Sequence, residues 1–284
     1  MTSPEPAFAR PPRAVRVFDA AEPRRLDRAV GDIAEGFARL RLALALARND
    51  LRNRYRGSVL GPIWLTLSTA VMLIALGVLY SILFRMEIRE YLPWLAVSLI
   101  VWNMIAGIVA DSCLCLIQAE SVIRQLPLPH TTHALRCVLR NSVTAAHNLP
   151  LIAIVFVIFG VMPGPEAVLI LPGLALLAAN ALAGALLLGI ACARFRDVVQ
   201  IVASLMQIGF FVTPVIWKPE LLGEGAAFLL LNPFYALMET VRAPLLEGGG
   251  RMAVWLAAIG WTALHLAVAF AFFVRFRGRV AFWV

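Results

Sequence analysis

Charged residues are scarce in this chain: they make up 15% of its 284 residues, whereas 61% are hydrophobic and the mean hydropathy is +0.83. A soluble domain of this length could not bury so much apolar surface, so the composition excludes a soluble protein. Long apolar runs inside a bilayer have to satisfy their backbone polar groups internally, which favours helices. The predicted fold class is an all-α membrane protein.

Lysine is almost absent, because Lys218 is the only one in the chain and Trp217 precedes it. A P-loop needs the pattern Gly-x4-Gly-Lys-Ser/Thr, so this chain cannot bind ATP by that motif. No nucleophile, base and orienting acid converge in the sequence either. We therefore expect no catalytic residue and no enzymatic activity in this polypeptide.

Cysteine and histidine are also few. The cysteines show no framework spacing, so structural disulfides are not expected. His130 and His133 lie close together in sequence but have no third ligand nearby, so no metal site is expected. The amino-terminal stretch is rich in Pro, Ala and Arg and has no apolar core of signal-peptide length. Residues 1–35 are predicted to be a flexible cytoplasmic tail. The four cysteines are Cys113, Cys115, Cys137 and Cys192.

What the chain does have is long apolar runs. A membrane-spanning helix needs about 20 apolar residues, and six segments qualify within a predicted transmembrane domain of residues 63–284. A further apolar piece, Ala226–Met238, is too short to span and is broken by Asn232 and Pro233, so it predicts short re-entrant helices within an outer segment, residues 218–251. The six predicted spans are Ile63–Phe84, Trp94–Ile117, Val143–Met162, Ala167–Ala193, Val198–Trp217 and Met252–Val274.

Positive charge is clustered between these runs, and the formal net charge is +8. Such clusters are typical of membrane topogenesis rather than of nucleic-acid binding, so no nucleic-acid partner is expected. With six spans, twenty of the 25 basic residues fall on one side of the membrane. Cytoplasmic loops are enriched in arginine, and we therefore expect a multi-pass protein with both termini in the cytoplasm.

Residues 36–62 are predicted to form an amphipathic interfacial helix and an entry loop to the first span. Apolar residues recur on one helical face from Phe37 to Leu51, with arginines along its edge. Arg52, Arg54 and Arg56 follow, directly before the apolar run. These three arginines are candidates for contact with membrane lipid phosphates, or they serve only to fix topology.

Two polar residues lie inside or beside the predicted spans. Asp111 is a candidate functional acid because an ionisable group inside a membrane is expensive. Its position near the inner end of the second span also allows an ion pair, and we favour that interpretation; the candidate partners are Arg124, Arg140 and Arg194. His147, at the start of the third span, is expected to be a hydrogen-bonded packing residue.

The stretch "RNDLRNRYRGSVLGPIW" resembles the entry to the first transmembrane helix of the type-2 ABC export permeases, in particular the exporters of O-antigen, capsule and teichoic acid. Further similar stretches follow in order: "RQLPLPH", "ARFRDV", "FFVTPVIW", "LNPFYALMETVR" and "RFRGRVAFWV". The resemblance covers the chain from about Arg48 to Val284. It implies a homodimer in the bacterial inner membrane that works with two ABC ATPase subunits, which bind ATP and Mg, and it implies no cofactor on this chain.

The resemblance also implies roles for particular segments. The inner loop of residues 118–141 would carry the helix that couples to the ATPase, although an ordinary connecting loop is the alternative. The coupling residues would be Glu120, Arg124, Gln125 and Leu126. Two further roles are our own hypotheses and not part of the resemblance. Arg52, Arg54 and Arg56 would contact the diphosphate of a lipid-linked substrate, unless they only fix topology. Asn232, Pro233, Phe234 and Tyr235 would form an outer gate.

Aromatic rings stack on sugar faces and would suit a path for a polysaccharide, whereas an aromatic belt at the membrane interface is the alternative. The candidate lining residues are Tyr80, Phe84, Trp102, Phe210, Phe211 and Trp217. The expected function is export of polysaccharide or lipid-linked polysaccharide. Export of drugs or small lipids is one alternative. A membrane-bound transferase, with Asp111 and His147 as its chemistry, is the alternative from another class.

Overall fold

The computed structural model describes residues 25–58, Gly61 and residues 63–284. Over these residues the chain forms helices joined by short turns and contains no strand, which confirms the all-α prediction. Short 3-10 helices lie at Pro165–Leu169, Pro219–Leu231 and Arg277–Arg279. The α-helices are α1 Arg25–Ala38, α2 Leu40–Arg54, α3 Ile63–Leu83, α4 Ile88–Leu114, α5 Glu120–Gln125, α6 His130–Ala146, α7 Leu149–Phe159, α8 Ile170–Arg194, α9 Val198–Val212, α10 Pro233–Leu246, α11 Met252–Phe276 and α12 Val280–Trp283.

Five helical segments of the described chain are long and apolar enough to cross a membrane, which confirms a multi-pass membrane protein. They correspond to five of the six predicted spans. The remaining one, α9, has 15 residues and is therefore about 22 Å long, short of a hydrocarbon core of roughly 30 Å. The five long segments are Ile63–Leu83, Ile88–Leu114, His130–Phe159, Pro165–Arg194 and Met252–Trp283.

The predicted outer end of the fifth span is wrong, because α9 ends at Val212 and not at Trp217. Thr213 is extended, with ψ 136. The residue before a proline is pushed out of the helical region by the proline ring, and Pro214 follows. Pro214 therefore stops the helix although the apolar sequence continues.

The predicted loop of residues 118–141 is shorter than expected. Residues Glu120–Gln125 form α5, close to the predicted short helix, but α6 already begins at His130. The third span then consists of α6 and α7, with a break at His147 and Asn148. The early start of α6 has a tertiary cause, since Asp32 of α1 accepts hydrogen bonds from the first two backbone N–H groups of α6.

Helix α4 lies at the centre of the bundle. It packs on α3, α6, α7, α8, α9 and α10, and most of its length is buried. It begins at Ile88, before the predicted Trp94, and its exposed first residues lead into the buried Tyr91. By contrast, α3 is largely exposed and α9 has no fully buried residue. The outer faces of α3 and α9 are therefore apolar and uncovered within one chain.

One end of the bundle, which we call the arginine-rich end, carries α1, α2, α5 and α12. Here the predicted flexible tail is wrong from Arg25 onward, because residues 25–35 belong to α1. Gly36 lets α1 approach α6 closely, since an added Cβ would lie 2.6 Å from the Cβ of Thr131. Residues 1–24 of the predicted tail, and residues 59, 60 and 62 of the entry loop, lie outside the described residues.

The opposite end carries a bent helix pair. The 3-10 segment Pro219–Leu231 and α10 meet at an angle of 111° around Asn232, so the predicted break at Asn232 and Pro233 is confirmed. The Asn232 side chain accepts hydrogen bonds from the backbone N–H groups of Phe234 and Tyr235, and Pro233 occupies the first helical position. The Asn232 amide also donates to Thr213 Oγ1 at 2.9 Å, which ties the bend to the end of α9.

Candidate functional site

A polar cavity of about 650 Å³ opens at the arginine-rich end, between α2 and the break that separates α6 from α7. We call it the interfacial arginine cavity. Two guanidinium groups, an amide and a phenol in its lining can donate hydrogen bonds, which suits an anionic group such as a phosphate. Its lining residues are Ala45, Arg48, Asn49, Leu51, Arg52, Tyr55 and His147.

The spacing of residues along α2 explains which arginines face the cavity. Arg48, Arg52 and Tyr55 are separated by four and three residues, so they lie on one helical face. Ala43 and Ala47 are buried on the opposite side, where α2 packs on α6. Of the three predicted contact arginines, only Arg52 lines the cavity.

The other two predicted arginines lie elsewhere. Arg56 is exposed in the turn after α2. The Nη2 atom of Arg54 lies 3.9 Å from the Asp111 Oδ2 atom, so Arg54 faces an ion-pair network and not the cavity. Helical spacing alone could have separated Arg54 from Arg52, because Arg54 is two positions beyond Arg52 and points away from it. Arg56 lies beyond the end of α2, at Arg54.

That network joins α2, α4 and α6 through two acids and three arginines. Arg140 donates to Asp111 at 2.9 Å and to Asp50 at 3.2 Å, and Arg136 donates to Asp50 through Nε at 2.7 Å. Asn141 Nδ2 donates to the same Asp111 oxygen at 2.8 Å. The predicted ion pair of Asp111 is therefore confirmed, with Arg140 as the partner.

The network holds α2 against the spans by electrostatics. Partial burial by itself raises the pKa of Asp50, but the hydrogen bonds and charges of Arg136 and Arg140 outweigh it and the pKa lies below its usual value. Asp50 is therefore ionised at neutral pH. Burial raises the pKa of Tyr55, which keeps its phenol protonated and able to donate to a ligand in the cavity.

The cavity has members that sequence reasoning missed. His147 was expected to be a packing residue, yet its ring lines the cavity while its Nδ1 atom lies 2.7 Å from the carbonyl oxygen of Val143. The carbonyl can only accept, so Nδ1 carries the hydrogen. The backbone of His147 is fixed as well, because Thr66 donates to its carbonyl oxygen at 2.8 Å. Arg48 was part of the predicted arginine edge, but no signal in the sequence places it in one cavity with His147, 99 positions later.

The predicted coupling residues are brought together at the surface of α5. Arg124 forms an ion pair with Glu120 at 2.9 Å, and Arg124, Gln125 and Leu126 are exposed. Arg124 also donates to the carbonyl oxygen of Val284. The buried Ile123 anchors α5 to the core of the arginine-rich end.

The candidate lining aromatics fall into two groups. Tyr80 and Phe84 of α3 stack with ring centroids 5.4 Å apart. Trp102 contacts Phe210 at 5.9 Å and the predicted gate residue Phe234 at 5.7 Å, but Trp102 is buried in the core of the chain.

At the rim of the second group, Phe211 is exposed, and its carbonyl oxygen accepts a hydrogen bond from Trp217 Nε1 at 3.0 Å. Of the predicted gate residues, Asn232, Pro233 and Phe234 lie at the bend, whereas Tyr235 is fully buried and receives a hydrogen bond from Arg251 at 3.2 Å. The structure thus brings most of the gate residues together with Trp102 and Phe210, and it leaves Tyr80 and Phe84 apart from them.

Comparison with known proteins places these features in one family. The profile described as "ABC-2 type transporter" matches residues 41–246 of this chain, from the start of α2 to the end of α10. It includes the interfacial arginine cavity, α5 and the bent pair. The family is one of transporters, so the alternative of a membrane-bound transferase is wrong, and Asp111 is engaged in the ion-pair network instead.

Curated relatives share most of their length with the chain. It is 25% identical over 209 residues to an O-antigen export system permease protein RfbA of Myxococcus xanthus, which covers 72% of this chain and 80% of the relative. It is 20% identical over 209 residues to an RfbA permease of Klebsiella pneumoniae, with 73% of this chain and 81% of the relative covered.

Proposed function

We propose, from the premise that this chain belongs to the ABC-2 type transporter family, that it is the membrane subunit of an exporter for polysaccharide or lipid-linked polysaccharide. The names of the similar permeases support this substrate class. The observation that carries the proposal is the interfacial arginine cavity, because Arg48 and Arg52 face one space of about 650 Å³ where the first span begins. A lipid-linked polysaccharide presents a phosphate-rich group at that depth, and guanidinium forks match phosphate oxygens.

The orientation follows from the distribution of arginine. Helices α1, α2 and α5 and the 3-10 segment Arg277–Arg279 concentrate basic residues at one end of the bundle, and we place that end in the cytoplasm of a bacterial inner membrane. Both termini then lie in the cytoplasm. The cavity would receive substrate from the inner leaflet, and the bent pair would lie at the outer surface.

Energy has to come from a partner, since the chain lacks a P-loop. Two ATPase subunits would bind ATP and Mg and act on α5, where Glu120, Arg124, Gln125 and Leu126 are grouped. No cofactor is assigned to this chain. A second copy of the chain would cover the apolar faces of α3 and α9, with the conduit between the two copies.

In that arrangement Tyr80, Phe84, Phe210, Phe211 and Trp217 would border the path, and the bend at Asn232 and Phe234 would close its outer mouth. Trp102 would support Phe210 from the core and would not touch the polymer, because it is buried within the chain.

The cavity is tested by charge removal. Arg48→Gln combined with Arg52→Gln should reduce polysaccharide export by at least about tenfold, because each lost charge-assisted hydrogen bond is worth roughly 1.5–3 kcal/mol. Arg→Lys at both positions should retain part of the activity, since an ammonium keeps the charge and loses the planar fork. Export is measured as polymer at the cell surface at matched permease expression.

The matched control is Arg41→Gln combined with Arg56→Gln, which removes two exposed arginines of the same region that do not line the cavity. This control removes two positive charges from the segment before the first span, which is the same number as the cavity variant removes. If the control lowered export as much as the cavity variant, the arginines would act through topology alone and the cavity would have no role in binding.

A further inference from the structure

A second cavity, of about 880 Å³, lies between the membrane-spanning helices. Helices α4 and α8 pack on each other, α9 packs on α4, and α11 packs on α8. The cavity therefore has α4 and α8 at its floor and α9 and α11 as its walls, and we call it the α9–α11 groove. It extends from Ser112 of α4 to Asn232 at the bend, and it shares no lining residue with the interfacial arginine cavity.

The lining of this groove is apolar along most of its length. The described residues that line it include no acid, arginine or lysine. At the rim, Leu205 of α9 and Leu264 of α11 are more than half exposed. Water finds too few polar partners in such a space, so at this depth the groove is solvated by hydrocarbon. Its polar members are Ser112, Asn180, Asn232, Trp261 and His265.

Two of these polar side chains meet near the middle of α8 and α11. The Asn180 amide nitrogen donates to the carbonyl oxygen of Leu176 at 2.9 Å and to Thr262 Oγ1 at 2.8 Å. The amide is thereby fixed with its oxygen toward His265, whose Nδ1 atom lies 2.9 Å from that oxygen. An amide oxygen can only accept, so Nδ1 carries the hydrogen of the imidazole.

The other ring nitrogen of His265 is an acceptor without a donor. An imidazolium would have no counter-charge among the described lining residues, and an unpaired charge is expensive at this depth, so the ring is neutral. Its Nε2 atom then accepts, but within the described part of the chain the only hydrogen bond of the ring is the one from Nδ1. An acceptor without a donor is costly in hydrocarbon. The side chains of Ser112, Asn232 and Trp261, by contrast, all have partners.

Small residues leave room in front of this ring. Ala181 and Gly184 of α8 line the groove. A Cβ added at Gly184 would lie 3.7 Å from His265 Cε1, which is ordinary van der Waals contact. A longer side chain at position 184 would therefore compete for the space beside the imidazole.

We propose that the α9–α11 groove binds a membrane amphiphile that has a long hydrocarbon body and, within it, a hydroxyl group that donates to His265 Nε2. The body would cover the apolar lining, and the hydroxyl would supply the missing donor. The occupant would also complete the packing of α9, which packs only slightly on α8 and has no fully buried residue. The inference goes beyond the proposed function, because it concerns neither the exported polymer nor the ATPase.

A second copy of the chain fits the groove less well. Of the two helices with uncovered faces, α9 already forms one wall of the groove in its own chain. The other, α3, has no polar side chain between Thr69 and Tyr80. A second copy that placed the middle of α3 in the groove would thus leave His265 Nε2 without a donor.

Binding of 12-hydroxystearate is the first test, because its hydroxyl lies part-way along an otherwise apolar chain. The purified chain binds the tritium-labelled compound in a scintillation proximity assay, and unlabelled 12-hydroxystearate or stearate competes. For the wild type, 12-hydroxystearate should compete between about twofold and tenfold better than stearate, as one added hydrogen bond predicts. His265→Phe keeps an aromatic ring without the acceptor and should not distinguish the two compounds.

Filling the groove is the second test. Gly184→Leu should weaken binding of labelled 12-hydroxystearate by about tenfold, because the leucine occupies the space beside His265. The matched control is Gly260→Leu, since Gly260 is exposed on α11, does not line the groove and has nothing within 4 Å of an added Cβ. Membrane insertion and a single elution peak show that each variant is folded.

Three results would overturn the proposal. They are a wild type that does not bind the labelled compound, a wild type for which both compounds compete equally, and equal binding by the Gly184 and Gly260 variants. None of them bears on export of a polysaccharide, so the proposed function would stand.

Photocrosslinking decides between an amphiphile and a second copy. The photoreactive residue p-benzoylphenylalanine replaces Leu264 at the rim of the groove, and membranes that contain the full chain are irradiated with labelled 12-hydroxystearate present. The label should become attached to the chain, and the chain should remain a monomer on a denaturing gel. A crosslinked dimer without attached label would show that a second copy fills the groove and would overturn the proposal.

Discussion

Arg242 shows what a single polar residue contributes at the end of the bundle opposite the arginine-rich end. Its side chain is fully buried, donates to Ser98 Oγ and to the carbonyl oxygen of Pro214, both at 2.9 Å, and pairs with Glu239. Its guanidinium carbon lies 4.4 Å from the ring centroid of Trp94. One guanidinium therefore ties α10 to α4 and to the chain that follows α9.

Replacing Arg242 should be costly. Arg242→Ala would leave the carboxylate of Glu239 buried without its partner, and breaking a buried pair costs about 3–5 kcal/mol. The melting temperature in detergent should fall by several degrees. Arg242→Lys should be nearly as damaging, since a lysine cannot donate to three partners in the guanidinium geometry.

Arg89→Ala provides the control for that measurement, because Arg89 is exposed at the start of α4. Equal melting temperatures for Arg242→Ala and Arg89→Ala would show that the buried pair does not hold the bent pair in place.

Residue-scale roles were only partly predictable. Asp111 was expected to form an ion pair because a charge at that depth needs a partner, and Arg140 supplies it. The separation of Arg52 from Arg54 follows from helical spacing. By contrast, the presence of Arg48 and His147 in one cavity depends on the docking of α2 beside a break in the third span, and no local pattern encodes that arrangement.

At the scale of elements, α6 depends on a residue outside it. Asp32 of α1 accepts from the backbone N–H groups of His130 and Thr131 at 3.2 and 3.0 Å, from Thr131 Oγ1 at 2.8 Å and from Arg277 Nε at 2.7 Å. One carboxylate thus caps α6 and joins α1 to the segment between α11 and α12. Burial by itself raises the pKa of Asp32, but the neighbouring His130, Thr131 and Arg277 outweigh it and lower the pKa.

Asp32→Asn should loosen α1 and the start of α6. The loss of hydrogen bonds to a charged acceptor costs roughly 1.5–3 kcal/mol. The sign of the pH effect follows from the lowered pKa: the stabilisation by Asp32 is complete above the pKa of an unfolded aspartate, about 3.9, and declines as the pH falls through the lower folded value.

Hydrogen exchange in α1 and in the first turn of α6 measures this effect. Exchange should be faster in Asp32→Asn than in the wild type at pH 7, and the difference should shrink below about pH 4 as the wild-type carboxylate becomes protonated. Asp27→Asn, in the exposed first turn of α1, is the control. Identical exchange in the Asp32 and Asp27 variants would mean that Asp32 does not cap α6.

Some helix bounds could be predicted from the sequence and others could not. Runs of about 20 apolar residues locate the long spans, because the bilayer imposes that length. The helix of residues 25–38 and the early start of α6 were missed, since both rest on a contact between Asp32 and residues 98 and 99 positions later. The end of α9 was misplaced because apolar composition outweighed the effect of Pro214.

At the scale of the whole molecule, the two ends of the bundle differ in chemistry. The arginine-rich end carries the interfacial arginine cavity, and the opposite end carries the bent pair fixed by Asn232 and Arg242. Between them, α3 and α9 expose apolar faces that lipid or a second copy has to cover. This difference between the two ends fits a subunit that receives an anionic substrate and a protein partner at one membrane surface and releases its cargo at the other.

ATP-driven uptake into inverted membrane vesicles tests the central claim most directly. The vesicles contain this chain and an ABC ATPase that co-purifies with it, and labelled lipid-linked polysaccharide is present in the membrane. Addition of ATP and Mg should make the polymer inaccessible to an added glycosidase, and vesicles without this chain should show no such protection. Equal protection in vesicles that lack the chain, or no protection while the complex hydrolyses ATP, would contradict the account.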